Sequence, residues 1–382
     1  MNLTRAMSVL RKAEAKRFAR PIWFGCCRFG FSLVELLVVI SILALLMSLI
    51  LPAIQSAREA ARRVECANHV KNLSLGMHGF LAARRQFPAA GYWGGGPNPD
   101  KNSPGPHHNW VVDLIPYLDR QDLADRWNWD QLATFPANQA IASIHLKVLT
   151  CPSDWTTTGH GDLSYALNGG IGDSFFYNGV QDCVADPFYV PLDLNGNGVV
   201  CANPDSADGS PSDRDLFFRL GMFFSENWQF EGTPGYHGTT RHHTAVSVRD
   251  GLSNTLMLGE NCRTGVDAAR PAINWATGDG RQSRLFFSHT ICRDNSCTAA
   301  AVDFTRANQG DHAINAGRNM AEGESPFLNS FHPGGVNIAL GDGSVRFLSD
   351  QIDGRVLYHL FTPDGNGLRN TPLDAGVADG NF

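Results

Sequence analysis

An α+β fold is predicted by three features of the sequence: a long helical pattern near the amino terminus, alternating strand patterns towards the carboxyl terminus, and abundant turn residues. Residues 31–82 predict one long α-helix, because an apolar run from 31 to 51 is followed by apolar residues at three- and four-residue spacing. The 39 Gly and 20 Pro residues favour a head of strands and loops over a helical bundle. We therefore expect the helix to pack on an antiparallel sheet that carries large irregular insertions.

Several elements of the head are predicted by local patterns. Residues 336–347 alternate between apolar and polar or small side chains on both sides of the turn residues 341–343, which predicts a β-hairpin. Segments 146–152 and 255–260 also predict strands. Pro52 falls within the long helical pattern, and we expect it to kink or loosen the helix.

The apolar run 31–51 is long enough to cross a membrane, since a helix of this length spans about 31 Å. One charged residue, Glu35, lies within it. Residues 1–30 carry seven Lys or Arg and one acidic residue. Because basic flanks stay in the cytoplasm, we expect a cytoplasmic leader (1–30), a helix that spans the inner membrane once in its first half, and a head (83–382) exported to the periplasm or the cell surface.

The charge distribution argues against a nucleic-acid partner. The formal net charge is -6 although the leader is strongly basic, so the remainder of the chain is acidic. Binding to phosphate groups requires a basic surface. We therefore expect membrane lipid around the apolar run and no nucleic acid on the head.

The carboxylate of Glu35 needs an explanation, because a charged side chain within a membrane span costs a few kcal/mol and is retained for a role. A plain signal-anchor helix accounts for the basic leader and the apolar run but not for this carboxylate. A secretory signal peptide has a shorter apolar region with a small-residue cleavage site after it. In this chain the small residue, Gly30, precedes the apolar run.

Residues 28–37, RFGFSLVELL, resemble the leader junction of type IV prepilins and type II secretion pseudopilins. The resemblance implies a pilin-like fold and processing by a prepilin peptidase/methyltransferase, which cuts between Gly30 and Phe31 and N-methylates Phe31. It also implies other pilin-like subunits and an inner-membrane assembly platform as partners. Gly30 suits a scissile site, since glycine lets the backbone enter a narrow cleft in an extended conformation.

The same resemblance implies that Glu35, the fifth residue after the cut, pairs with the terminal amine of a neighbouring subunit. Cleavage creates an α-amino group, whose ordinary pKa is about 7.7–8.0, so it is largely cationic. In lipid, the cation and the carboxylate each need a partner, and pairing between subunits satisfies both. A single buried polar pair would also set the register of assembly.

A second resemblance lies near the carboxyl terminus, where His332 is followed after nine residues by Asp342 and Gly343. This arrangement resembles the carboxyl-terminal box of a large bacterial prepilin-like family of unknown function. Three more stretches resemble recurring segments of that family: 66–68, 151–154 and 250–255. The resemblance implies no reaction. We favour a structural role for the box, because a Gly-Asp-Gly turn accommodates positive φ and a His before a strand can hold a loop carbonyl.

Seven cysteines follow the leader, and this odd number leaves at least one unpaired within the chain or paired between chains. No C-x-x-C pattern occurs, so neither a zinc ribbon nor a thioredoxin-type motif is supported. Export of the head would allow disulfides. The candidate pairs are Cys183 with Cys201, Cys292 with Cys297, and, at longer range, Cys66 with Cys151.

One segment resembles the start of a calcium loop, with oxygen-bearing Asp193, Asn195 and Asn197 at positions one, three and five. Position twelve would be Pro204, which supplies no carboxylate, so a neighbouring Asp would have to substitute. An ordinary Asn-Gly turn is the alternative. Apart from this calcium ion we expect no cofactor.

No enzyme is predicted, because the chain has no G-x-S-x-G, P-loop or H-E-x-x-H motif. His107-His108 and His237 with His242-His243 lack standard zinc spacing, which favours surface histidines. We expect a structural subunit of a type IV pilus-like or type II secretion-like filament. Two alternatives remain: a membrane-anchored surface-binding protein that does not polymerise, and a membrane-tethered hydrolase.

Overall fold

The computed structural model describes a large part of the chain, in these ranges: 32–93, 106–171, 195–196, 211, 213–227, 242–264, 274–277, 286–289, 291 and 302–376. Several residues singled out by the sequence lie outside the described residues: Gly30, Phe31, Cys183, Asp193, Asn197, Cys201, His237, Cys292 and Cys297.

The amino-terminal helix α1 spans Leu33–Arg84, 52 residues, close to the predicted 31–82. At its start the Ser32 backbone N–H donates to the Glu35 carboxylate at 2.9 Å, which is one half of a capping box. The helix continues through Pro52. It ends at Arg84. The next residue, Arg85, has a left-handed φ of 61° that turns the chain away, and its N–H donates to the Leu81 carbonyl at 2.7 Å.

Internal contacts divide the chain into two units, Met1–Gln55 and Ser56–Phe382, and α1 contributes to both. In the first unit the apolar side chains of α1 are exposed. Among the described residues, α1 is the one helix long and apolar enough to cross a membrane, judged by length and composition. In the second unit α1 buries a stripe of side chains at helical spacing: Cys66, Val70, Leu73, Met77 and Phe80.

The main sheet has five strands in the order β6-β3-β5-β7-β8. Their bounds are β3 Tyr165–Ile171, β5 Leu256–Glu260, β6 Phe286–His289, β7 Gly335–Leu340 and β8 Val345–Ser349. The predicted hairpin is confirmed as β7 and β8, and the predicted strand at 255–260 is confirmed as β5. The sheet is mixed rather than wholly antiparallel, since the edge strand β6 runs parallel to β3. Parallel neighbours need a long connection, and the chain between these two strands is long enough to provide it.

A smaller sheet of three strands has the order β2-β1-β4, with β1 parallel to β4 and antiparallel to β2. Its strands are β1 Gly91–Trp93, β2 Pro106–Asn109 and β4 Ser225–Asn227. The remaining α-helices are short: α2 Trp110–Leu114, α3 Gln121–Ala124, α4 Pro136–Ala142, α5 Asp213–Leu220 and α6 Gly354–Phe361. The prediction of an α+β fold with a long amino-terminal helix is therefore confirmed.

The strand predicted at 146–152 is wrong, because Lys147–Leu149 forms a 3₁₀ turn. Leu146 and Leu149 are both buried and lie three residues apart. This spacing places them on one side of a 3₁₀ turn, whereas a strand would point them to opposite faces. The three-residue spacing of these apolar side chains therefore reflects a 3₁₀ turn and not a strand.

The five-stranded sheet has a hydrophobic cluster on each face. One cluster joins the buried stripe of α1 to Tyr165, Leu167 and Ala339. The other joins α6 to Ala166 and Ile338. In β3 and β7 the neighbouring residues named here belong to different clusters because side chains alternate across a sheet. The buried stripe of α1 therefore packs in the same hydrophobic cluster as β7, the strand next to the predicted carboxyl-terminal box.

Candidate functional site between α1 and the carboxyl-terminal hairpin

His332 lies just before β7 and is fully buried. Its Nδ1 is 2.6 Å from Oε1 of Glu59 on α1. Its Nε2 is 3.3 Å from Oε1 of Glu260, the last residue of β5, and also 3.3 Å from Sγ of Cys151. A single buried imidazole therefore joins α1, the central strand β5 and the segment around Cys151.

Both carboxylates beside His332 have further partners. Glu59 forms an ion pair with Arg62 at 2.7 Å, and the Ser153 hydroxyl donates to its carboxylate at 3.3 Å. Glu260, 1% exposed, accepts the backbone N–H of Asn337 at 2.7 Å and the Asn337 side-chain amide at 2.9 Å. Buried carboxylates are stable only when hydrogen-bonded in this way.

The electrostatics of the cluster favour its charged form. Burial alone would lower the pKa of His332, but the hydrogen bonds and charges of Glu260 and Glu59 outweigh it and raise the pKa above the ordinary value. Burial alone would raise the pKa of Glu59, but hydrogen bonds from His332 and Arg62 outweigh it and lower that pKa. Both shifts favour the ion pair between the imidazole of His332 and the carboxylate of Glu59.

A disulfide lies against this cluster and joins Cys66 of α1 to Cys151, with Cα atoms 5.1 Å apart. This confirms the longest-range of the three predicted pairs, while the other two lie outside the described residues. Glu59 and Cys66 are seven residues apart, which is two helical turns, so they share one face of α1. The contact of Glu59 with His332 and the Cys66–Cys151 disulfide therefore connect the same face of α1 to the head.

The second half of the carboxyl-terminal box, Asp342-Gly343, is the turn between β7 and β8. Asp342 is exposed, and its carboxylate accepts the Ser344 N–H at 2.8 Å. Although burial alone would raise the pKa of Asp342, the bonds from Ser344 lower it. Lys71 Nζ of α1 donates to the Gly343 carbonyl at 2.8 Å. The turn thus makes its own contact with α1.

The structure does not bring His332 and Asp342 together, because they lie beyond opposite ends of β7. A six-residue strand spans about 20 Å, and the twelve-residue step from Glu59 to Lys71 covers about 18 Å of helix. The contact of Glu59 with His332 and the contact of Lys71 with Gly343 therefore occur in the same order along α1 and along β7. The nine-residue spacing of the box therefore matches about three turns of α1.

The other segments of the family resemblance converge on the same place. Ser153 follows Cys151 and bonds Glu59. Within the segment 250–255, the Leu252 carbonyl accepts the Asp342 N–H at 3.0 Å and the Thr255 carbonyl accepts the Gly341 N–H at 2.8 Å. Four stretches that are distant in sequence are thus parts of one junction between α1 and the head.

The turn contact can be tested with two glycines that share a φ of +82°, Gly343 and Gly334. A Cβ on Gly343 would lie 3.0 Å from His78 Nε2 and 3.1 Å from Ser74 Oγ, both on α1, whereas a Cβ on Gly334 would meet nothing within 4 Å. We expect Gly334→Ala to cost about 1 kcal/mol of backbone strain and Gly343→Ala about 1 kcal/mol more from crowding.

Urea unfolding of the detergent-solubilised full chain measures the difference between the two variants. If Gly343→Ala and Gly334→Ala lowered the free energy of unfolding equally, the turn at Gly343 would not be in close contact with α1.

Sequence reasoning missed two residues of the junction, Glu59 and Glu260. Glu59 lies two turns before Cys66 on the face of α1 that becomes buried, so continuing the stripe upstream would have found it. Glu260 ends the otherwise apolar strand LMLGE, and an acidic residue in a fully buried segment signals a partner.

The remaining candidate residues lie elsewhere. The Asn195 amide donates to the Pro211 carbonyl at 3.3 Å, and the calcium loop stays a prediction. Both ring nitrogens of His243 are engaged, by the Ser247 hydroxyl at 2.9 Å and the Phe218 carbonyl at 3.2 Å. His108 is buried, with Nε2 3.4 Å from Asp113 Oδ1. These contacts are those of structural histidines, and the expectation of a surface histidine is wrong for His108.

Among the described residues, one group of His, Cys, Asp or Glu side chains is close enough to hold a metal ion: Cys66, Cys151, Glu260 and His332. While the disulfide is intact, its sulfurs are not thiolates, and the thiolate is the ligand form of cysteine.

Two family models match the chain. The model described as a protein of unknown function (DUF1559) matches residues 55–355, which include the whole junction between α1 and the head. The model of the prokaryotic N-terminal methylation motif matches residues 27–51. No curated protein and no solved structure matches the chain significantly.

Proposed function

We propose that this chain, which belongs to the family of proteins of unknown function DUF1559, is a structural subunit of a type IV pilus-like or type II secretion-like filament. It carries a type IV pilin-like amino terminus that a prepilin peptidase processes. The observation that carries the proposal is the methylation motif at 27–51, which includes most of the exposed apolar part of α1. A pilin-like subunit needs this combination of processing site and packing helix.

In this function the peptidase cuts between Gly30 and Phe31, and Phe31 is N-methylated. The leader stays on the cytoplasmic side of the inner membrane, and the head is exported to the periplasm or the cell surface. The Cys66–Cys151 disulfide supports export, because disulfides persist in oxidising compartments. Partners are the peptidase/methyltransferase, other pilin-like subunits, the assembly platform and membrane lipid.

Assembly in this function uses Glu35. It is the one charged residue between Phe31 and Ala57, and its carboxylate bonds the Ser32 N–H at the start of the helix. The anion therefore lies in the first turn of the described helix, four residues after Phe31 in the sequence. Pairing with the amine of the adjacent subunit neutralises both charges in lipid.

Processing is tested by mass spectrometry of the mature amino terminus after co-expression with a prepilin peptidase. We expect an N-methylated Phe31, loss of cleavage in Gly30→Leu, and normal cleavage in the matched control Gly25→Leu, since only the scissile glycine must enter the peptidase cleft. An intact leader, or a cut after Leu51, would contradict the proposal.

Assembly is tested by chemical crosslinking in membranes. The wild type is expected to give a ladder of oligomers, which Glu35→Leu removes because the amine of the neighbour loses its counter-ion. Ser41→Leu removes a polar group from the same helix without changing charge, and it is expected to keep the ladder. A methylated chain without any ladder would favour the membrane-anchored surface-binding protein that does not polymerise.

A further inference from the structure

His332 lies in a cluster of four buried side chains that all carry metal-ligating atoms. Ligand atoms of Cys66, Cys151, Glu260 and His332 all lie within 4.8 Å of one another, and all four residues are buried. Two sulfurs, one imidazole nitrogen and one carboxylate oxygen are donors that zinc takes in four-coordinate sites. The donors come from α1, from the segment after the 3₁₀ turn, from β5 and from the approach to β7.

We propose that these four residues bind one Zn²⁺ ion whenever Cys66 and Cys151 are thiols rather than a disulfide. The metal ion and the disulfide are then alternative links between α1 and the head, made through the same two sulfurs.

The distances between the donors suit a tetrahedral ion. Zinc bonds of about 2.0–2.3 Å place neighbouring ligand atoms about 3.3–3.8 Å apart. Nε2 of His332 is already 3.3 Å from Sγ of Cys151 and 3.3 Å from Oε1 of Glu260. Opening the disulfide frees the two sulfurs to separate to the same spacing, with Cα atoms that start 5.1 Å apart.

The surrounding hydrogen bonds are those that orient zinc ligands. Nδ1 of His332 faces Oε1 of Glu59 at 2.6 Å, so a neutral imidazole keeps its proton on Nδ1 and presents the Nε2 lone pair to the metal. Asn337 holds the Glu260 carboxylate through its backbone N–H at 2.7 Å and its amide at 2.9 Å. Glu59 and Asn337 therefore act as positioning residues for two of the four ligands.

Exchange between the two states balances as a two-electron step. A dithiol or phosphine reductant supplies two electrons, two protons are taken up, and the S–S bond gives two thiols. On binding Zn²⁺ the two thiols release their protons to solvent, as does Nε2 of His332 where it carries one. A newly translocated chain carries both cysteines as thiols before any oxidation, so it can reach the metal-bound state without a reductant.

The test uses the detergent-solubilised full chain, reduced with a phosphine, and Co²⁺ as a spectroscopic substitute for Zn²⁺. We expect thiolate-to-cobalt charge-transfer absorption and the strong visible bands of a tetrahedral ion, saturating with one equivalent of metal more than the reduced Cys66→Ser variant binds. Zn²⁺ should displace the cobalt.

Other cysteines could bind metal after reduction, so three controls isolate the site. Cys262→Ser removes a buried free thiol, and Cys183→Ser and Cys292→Ser remove cysteines outside the described residues; each is expected to keep the extra equivalent. The unreduced wild type is expected to lack it. This comparison involves no substitution, so it holds even if Cys66→Ser fails to fold.

The contact between Glu59 and Nδ1 of His332 provides an independent measurement. Glu59→Gln is expected to weaken cobalt binding about 10–100-fold while leaving the tetrahedral spectrum in place. His332→Gln is expected to change the spectrum itself. The proposal is overturned if reduced wild type binds no more Co²⁺ than Cys66→Ser or than the unreduced protein, or if the bound ion is octahedral without thiolate absorption. Unchanged affinity in Glu59→Gln would remove its positioning role.

Discussion

Replacing His332 by Ala is expected to lower the free energy of unfolding by about 3–5 kcal/mol, because removal of one partner from a buried ion pair leaves the other charge uncompensated. The residue left behind is Glu260, which is 1% exposed and whose carboxylate, within the described part of the chain, retains the two bonds from Asn337. The substitution also detaches the Glu59 carboxylate, which lies 2.6 Å from Nδ1 of His332, so α1 loses a direct contact with the head.

The matched comparison for the stability lost in His332→Ala is a substitution of Asp342, the other half of the carboxyl-terminal box. Asp342 is exposed, and its carboxylate accepts the N–H of Ser344 within the turn, so Asp342→Ala is expected to cost about 0.5 kcal/mol. His160→Ala removes an exposed histidine and controls for the residue type. Urea unfolding of the full chain in detergent, followed by tryptophan fluorescence, gives all three values.

A double-mutant cycle locates the origin of the loss. Because His332 and Glu59 are in contact, the two effects of His332→Ala and Glu59→Gln should couple by about 0.5–3 kcal/mol. Similar losses in His332→Ala and Asp342→Ala, or strict additivity with Glu59→Gln, would show that the buried cluster is not what holds the junction together.

Removal of the Cys66–Cys151 disulfide is expected to lower the free energy of unfolding by about 4.5 kcal/mol, the loop-closure entropy for a cross-link of this sequence separation. The two residues are 85 positions apart, so the bond restricts a long segment of the unfolded chain. Cys66→Ala with Cys151→Ala tests the bond without reducing any other cysteine.

Two measurements accompany this variant. Peptide mapping without reductant should recover a linked pair of peptides that contain Cys66 and Cys151. Cys262→Ala, at a buried cysteine that forms no disulfide, is expected to cost about 1 kcal/mol as a small cavity. If the double variant lost no more stability than Cys262→Ala, the disulfide would be absent from the folded protein or would add nothing to it.

Particular residues show how far the sequence could predict the site. The recurring segments 66–68, 151–154 and 250–255, with the box at 332–343, identified four of the stretches that meet at the junction but not Glu59 or Glu260. The pairing of Cys66 with Cys151 was among the predicted pairs and is confirmed. The expectation that a histidine before a strand holds a loop carbonyl was wrong in its partner, because His332 bonds two carboxylates.

The sequence by itself determined the local and periodic features of this protein: the apolar run with its single carboxylate, the methylation motif, the long helix, and the hairpin around 341–343. These follow from near neighbours in the chain, whose spacing alone predicts them. Only the tertiary structure decided that Glu59, Glu260 and two cysteines surround His332, and that Asp342 stays apart from it on the surface. The physical reason is that a buried charge is stabilised by whichever groups the packing of helix on sheet brings within hydrogen-bond distance, and those groups are separated in sequence by up to 273 residues.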